Sequence, residues 1–291
     1  MTQYGALVSI LVAGICLFLA VALSPYSSSV TQYIPHSGQH QKTTTSVSPS
    51  ADTSSSSQSP IASNSTMPRT PIYFFSHGGP NIMEDLDHPA ALKLATYGRE
   101  ITQTIRPKAV IVFSAHWQAG PSNIEVNTAE TLPLIYDYYG FPAHYYKFQY
   151  PNVGNRQLAH DVLRRLQDAG IRAQGVERGL DHGVFAPFRV AFDPEKNPLK
   201  VPIVQVSLFD NEDAEMHIRL GKAVEGLRDE GVLIIVSGMA VHNLRDLRAG
   251  MMQGPGFYFP YAKTFSDALT DAVERQVCLV DHQGGLHANN L

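Results

Sequence analysis

Three histidines follow hydrophobic runs that are typical of buried strands. His77, His116 and His242 come shortly after the runs at residues 71–76, 108–113 and 231–236. Reactive groups in open α/β sheets collect beyond the carboxyl ends of the strands, so we expect these side chains at one rim. Three neutral imidazoles around a divalent ion leave a position open for water or substrate, as in catalytic metal sites. Imidazole suits zinc and iron alike, so the ligand type does not choose the metal.

A fourth histidine, His182, has a different setting. It is predicted in a loop between a strand at residues 172–176 and a helix, and Gly179 and Gly183 would let the backbone bend sharply on both sides. Histidine titrates near neutrality, so His182 beside a bound substrate could act as a general acid or base. The alternative is a structural turn histidine that is bonded to Asp181.

Aromatic side chains are concentrated in residues 136–146. Such a segment could be a structural loop, or it could wall a pocket for a flat aromatic substrate. Within it we predict Tyr139 and Phe141 as substrate-binding residues, together with Trp117, which directly follows His116.

The elements that must position these residues alternate between strands and helices. Strands are predicted at residues 71–76, 108–113, 172–176, 202–208 and 231–236, and helices at 87–105, 155–169, 214–230 and 261–277. Asp87 is the predicted N-cap of the first helix, and Gly170 ends the second. This order predicts an α/β fold with a largely parallel central sheet flanked by helices.

The N-terminal part of the 291-residue chain has a different composition. Residues 5–23 carry no charge and are long enough to cross a bilayer, so we expect residues 1–24 to be a signal peptide or membrane anchor. That would place the protein at a membrane or in the secretory pathway; otherwise we expect it in the cytoplasm. Residues 25–68 are Ser/Thr-rich and predicted to be a disordered tether, and residues 69–291 form the predicted catalytic domain.

Charge and cysteine content exclude two classes of protein. The net charge is −4 and no stripe of Lys or Arg could neutralise phosphates, which argues against a nucleic-acid partner. The only cysteines are Cys16, within the apolar run, and Cys278, near the end, so a disulfide scaffold is excluded.

Five short motifs occur in a specific joint order. They are Ser-His-Gly-Gly-Pro at 76–80, Ser-Ala-His-Trp at 114–117, Tyr-Gly-Phe-Pro at 139–142, Leu-Asp-His-Gly-Val-Phe-Ala-Pro at 180–187 and Val-His-Asn-Leu at 241–244. Together they resemble the class III, LigB-like extradiol ring-cleaving dioxygenases, in particular the 4,5-DOPA dioxygenase branch. The similarity extends from Pro71 to about Thr270.

The resemblance implies a site and a reaction. Its metal ligands would be His77, His116 and His242, with His182 as the acid/base or as a further ligand. The family uses Fe(II) for ring cleavage, although zinc is often the ion found bound. The implied substrates are O₂ and a DOPA-like catechol, which would give a ring-opened semialdehyde.

Two other functions stay open at this point. Residues 277–287 lack the His-Pro…Glu-His motif that related dioxygenases carry after the last helix, which is compatible with a non-catalytic, Memo-like metal-binding scaffold protein. Three histidines with an open position would also suit a zinc hydrolase, although no carboxylate partner is identifiable for it in the sequence.

Overall fold

A computed structural model describes residues 68–211, 213–239, 243–254 and 256–275. The predicted hydrophobic segment at residues 5–23, nearly all of the tether and His242 lie outside these residues, so the predictions for them stay predictions. In the described part of the chain, no helix is long and apolar enough to cross a membrane.

One central sheet organises the fold. Its strands are β1 (Ile72–Ser76), β2 (Ala109–Gly120), β3 (Ile124–Asn127), β4 (Ala173–Val176), β5 (Ile203–Phe209) and β6 (Val232–Gly238). They lie in the order β1-β6-β2-β5-β3-β4. The first four strands in this order are parallel to one another, whereas β3 runs antiparallel to β5 and parallel to β4. The predicted α/β fold with a largely parallel sheet is confirmed, and β3 is an additional strand.

Helices cover both faces of this sheet. Those that share a core with the sheet are α1 (Pro89–Glu100), α2 (Arg156–Asp168), α3 (His182–Ala191) and α4 (Ala214–Val224). Two further helices follow β6, α5 (Leu244–Met251) and α6 (Pro260–Arg275). The predicted first helix is longer than α1, because the chain continues in π-helical form through Ile101–Ile105. The predicted helix at 214–230 likewise ends as a 3₁₀ turn, Glu225–Glu230.

Alternating side chains of β2 separate two hydrophobic cores. Ile111 and Phe113 point into a core with α2 and α4, and Val110 and Val112 point into a core with α1 and α3. All seven residues of β5 and of β6 are buried, as expected for strands covered on both faces. The four parallel strands therefore lie between two layers of helices.

Side chains cap the first turns of α1 and α2, and a glycine ends α2. The N-cap of α1 is His88 rather than the predicted Asp87, because the His88 ring accepts a hydrogen bond from the Ala90 backbone N–H. The Asn155 side chain caps α2. Gly170 follows that helix with a φ of 71°, as predicted for the left-handed C′ position.

Candidate metal centre

His77 lies where β1 ends, beside the end of the neighbouring strand. Its backbone N–H donates to the carbonyl of Gly238, the last residue of β6. Its Nδ1 lies 2.6 Å from the carbonyl oxygen of Gly78. Because a carbonyl can only accept, Nδ1 carries the proton and Nε2 offers its lone pair. The side chain is buried, at 2% exposure.

His116 lies inside β2, not after it. The strand continues to Gly120, and its register with β5 shifts between Phe113 and Gln118. Such irregularities re-aim side chains next to active sites. The prediction that His116 follows the strand is therefore wrong, because the hydrophobic run stops before the hydrogen-bonded strand does.

His182 is the first residue of α3, with Asp181 as N-cap residue. The predicted loop is wrong here, and neither Gly179 nor Gly183 has a positive φ. Both glycines instead allow a close approach. A Cβ on Gly179 would lie 1.9 Å from the Pro133 carbonyl oxygen, and one on Gly183 would lie 2.7 Å from Cδ2 of His116.

The three rings form one cluster. Their centroids are separated by 5.0 Å between His77 and His116, 5.9 Å between His77 and His182, and 4.1 Å between His116 and His182. One ligand atom from each lies within 4.8 Å of those of the other two. His242, the third predicted ligand, lies outside the described residues, so the cluster consists of two predicted ligands and the predicted acid/base residue.

A carboxylate that the sequence did not single out holds two of these rings. Asp137 Oδ2 lies 3.0 Å from Nδ1 of His116, and Asp137 Oδ1 lies 2.8 Å from Nδ1 of His182. Oδ1 also accepts the His182 backbone N–H at 2.9 Å. Burial alone would raise the pKa of Asp137, but the hydrogen bonds from His116 and His182 outweigh it and hold this pKa well below its usual range.

A buried polar layer lies beneath the cluster. Asp181 is fully buried and accepts hydrogen bonds from Ser114 Oγ at 2.7 Å, from Arg178 at 2.8 Å and from the Gln205 side chain. Ser114 Oγ also accepts the His116 backbone N–H. The Asp181 carboxylate is therefore bonded to Ser114, Arg178 and Gln205. The His182 ring is bonded to Asp137 instead, so the alternative of a turn histidine bonded to Asp181 is wrong.

The predicted substrate-binding residues have three different environments. Tyr139 is 90% exposed. Phe141 packs against Tyr138 and Tyr145. Trp117 is buried, and its indole N–H donates to Glu125.

An aromatic side chain that contacts the cluster is Tyr138, which the sequence did not single out. Its ring meets that of His182 edge-on, with centroids 5.1 Å apart. Its hydroxyl donates to the Tyr145 carbonyl, and burial followed by the neighbouring Tyr136 raises the pKa of Tyr138 to about 12. Tyr138 is thus a neutral, fixed wall of the site.

The donor set fits a divalent transition-metal ion. In each of the three rings Nδ1 faces an oxygen acceptor, so each presents an unprotonated Nε2, which is the form of histidine that binds metals. Nitrogen donors of this kind suit zinc and iron rather than calcium or magnesium.

The sequence matches one family profile over most of its length. The profile is described as the catalytic LigB subunit of aromatic ring-opening dioxygenase and matches residues 65–288. The chain belongs to this family.

Named relatives agree with this assignment. The chain is 37% identical over 172 residues to "4,5-DOPA dioxygenase extradiol" of Beta vulgaris, an alignment that covers 58% of this chain and 62% of that protein. It is 32% identical to a "4,5-DOPA dioxygenase extradiol-like protein" of Schizosaccharomyces pombe, over 62% of this chain and 64% of that one. It is 30% identical to "4,5-DOPA dioxygenase extradiol" of Escherichia coli K12, over 76% and 80%. The chain therefore spans less than two thirds of the length of the first two relatives.

A solved structure is also similar. It is that of an uncharacterized protein of Escherichia coli K12, with 26% identity and a TM-score of 0.48, covering 68% of this chain and 75% of that one.

Proposed function

We propose that this protein is a metal-dependent extradiol dioxygenase that uses O₂ to open a DOPA-like catecholic ring to a semialdehyde. The observation that carries the proposal is the convergence of His77, His116 and His182, which are remote along the chain, on one point. Membership of the LigB family and relatives named as 4,5-DOPA dioxygenases support the choice of reaction.

The proposed ligands are His77, His116 and His242. Strand β6 lies between β1 and β2, and its last residue, Gly238, is hydrogen-bonded to His77. His242 follows shortly after Gly238 in the sequence, which supports its assignment as the third ligand. Bound Fe(II) would supply the redox chemistry and would lower the pKa of a coordinated catechol hydroxyl, whereas zinc lacks an accessible redox change.

His182 is the proposed acid/base residue. Asp137 accepts its Nδ1–H, so the unprotonated Nε2 can take the proton of a catechol hydroxyl and later return it. The ionised Asp137 carboxylate stabilises the imidazolium that forms. The Tyr138 ring meets the His182 ring edge-on, and His182 is buried. If His182 were a ligand instead, Nε2 would not be available to move this proton.

The experiment is anaerobic loading of the full chain with Fe(II), followed by measurement of oxygen uptake with DOPA and a panel of other catechols. We expect oxygen uptake together with a yellow ring-opened product. Stoichiometric metal binding without oxygen uptake across the whole panel would contradict the proposal and would favour a scaffold protein.

Two substitutions separate the roles of the histidines. His182→Gln is expected to retain the metal and lose turnover, and His77→Ala is expected to lose the metal. His160→Ala, at an exposed position of α2, is the control and should change neither. Loss of metal from His182→Gln would show that His182 is a ligand and not the base.

A further inference from the structure

Asp137 is the one acidic side chain, among those the structure describes, that is bonded to two rings of the histidine cluster. Its Oδ1 accepts the backbone N–H of His182, and each of its two oxygens lies within 3.0 Å of a ring Nδ1. A carboxylate that accepts at both oxygens has no proton to donate. Both His116 and His182 must therefore donate from Nδ1. A neutral imidazole carries a single ring proton, so Nε2 is unprotonated in both rings.

Asp137 binds the rings of His116 and His182 on their Nδ1 side, away from Nε2. The two nitrogens of an imidazole point in widely different directions, and both carboxylate oxygens face Nδ1 atoms. The group of side chains whose donor atoms converge accordingly contains His77, His116 and His182, and not Asp137. A role as metal ligand, which carboxylates have in many non-haem iron sites, does not suit this position.

We propose that Asp137 is the positioning residue of this centre: by accepting from both Nδ1 atoms, it selects Nε2 as the nitrogen that His116 and His182 present. This inference rests on the proposed function, because a metal ligand and a general base both need an unprotonated Nε2. The loop that carries Asp137 thereby couples a strand residue, His116, to the first turn of α3.

The two carboxylate oxygens of Asp137 are not equivalent, which makes the inference testable with an isosteric variant. Oδ1 accepts from the backbone N–H of His182, a donor that cannot change its role, as well as from its ring. In Asp137→Asn the amide oxygen should therefore take the position of Oδ1. The amide NH₂ then faces Nδ1 of His116, where two donors would meet. We expect His116 to change to the tautomer that is protonated at Nε2, and His182 to keep its tautomer.

Two-bond ¹H–¹⁵N correlation spectra of the metal-free full chain at a pH near 8 measure these tautomers directly. The wild type should show Nδ1 protonated in His116 and His182, and Asp137→Asn should show Nε2 protonated in His116 alone. The affinity for Co²⁺, measured by competition with a chromophoric chelator, should fall about 10–100-fold, as when other outer partners of ligating histidines are removed.

Glu84→Gln is the matched control. The Glu84 carboxylate also binds a histidine, but this is His144, at 2.8 Å, which is not one of the three rings of the cluster, and it accepts from the Tyr145 hydroxyl at 2.6 Å. The same change from carboxylate to amide should therefore leave the tautomers of the cluster and the Co²⁺ affinity unchanged.

Each outcome bears on the proposal. Unchanged tautomers in Asp137→Asn overturn it, even if Co²⁺ affinity falls, because a merely structural role would produce that fall alone. If the variant does not fold, the wild-type spectrum decides: a proton on Nε2 of either ring overturns the proposal. The spectra need no metal and no turnover, so failure of the dioxygenase assay with the expected tautomers would refute only the proposed function.

Discussion

Gly183→Ala should damage the histidine cluster much more than it damages the fold. The added Cβ would lie 2.7 Å from Cδ2 of His116, and contact becomes ordinary only at 3.4 Å, so the ring must retreat by about 0.7 Å. The same Cβ would lie 2.8 Å from Ser114 Oγ, which is tied to the fully buried Asp181 and cannot retreat freely. The His116 ring is therefore the group that gives way.

The effects on stability and on activity have different magnitudes. Overpacking costs about 1–3 kcal/mol, and replacing glycine by alanine within a helix returns up to about 1 kcal/mol, so the free energy of unfolding should fall by roughly 0–3 kcal/mol. A displacement of about 1 Å in a catalytic site can cost about 100-fold in rate. We therefore expect a loss of turnover approaching 100-fold in a variant that is still folded.

Urea denaturation, Co²⁺ affinity and oxygen uptake, measured on the same preparations, test this prediction. Gly120→Ala is the control, because a Cβ there meets no atom within 4 Å and the φ of Gly120 is not positive. A folded Gly183→Ala protein with the metal affinity and turnover of the wild type would show that His116 does not need its observed position.

Three further predictions concern stability. Arg178→Met should lower the free energy of unfolding by about 3–5 kcal/mol in chemical denaturation, because it leaves the buried Asp181 charge without its cation. The control is Arg156→Met, whose exposed pair with Glu177 spans 3.9 Å, and it should change this free energy by less than about 1 kcal/mol. Equal effects of the two substitutions would contradict the prediction. Burial lowers the pKa of His217 below its ordinary value of 6.5, so the unfolded chain binds more protons than the folded chain as the pH falls below about 6.5, and the free energy of unfolding should fall with the pH. In urea denaturation between pH 5.5 and 7.5, His217→Gln should flatten this pH dependence. An unaltered slope in the variant would refute the prediction. Dialysis against a chelator should lower the melting temperature, since a ligand at about 100 times its Kd contributes about 2.7 kcal/mol, and an unchanged melting temperature in a protein shown to lose its metal would contradict that.

Most of the sheet could be predicted from the sequence, because buried parallel strands are continuous apolar runs. β5 and β6 are such runs, and both are found within two residues of their predicted bounds. β3 has only four residues, among them Glu125 and Asn127, and it pairs antiparallel to β5. No local pattern marks a strand of this kind, which exists because β5 offers it an edge to pair with.

The histidines of the site could be predicted, and their partners could not. His77 and His116 follow recognisable apolar runs and His182 lies between two glycines, and chain order limits where they can meet. Asp137 is 45 residues from His182 and lies in a segment without helical or strand periodicity, so only the folded chain brings the two together. The choice between Tyr138 and Tyr139 as the wall of the site likewise depends on how that loop folds.

X-ray absorption spectroscopy of the zinc-loaded full chain tests most directly whether the histidine rings share one ion. We predict a first shell of nitrogen atoms at roughly 2.0–2.1 Å with the outer-shell scattering of several imidazoles, lost on combining His77→Ala with His116→Ala. A first shell of oxygen atoms without imidazole scattering, or an identical spectrum from the double variant, would contradict the shared site.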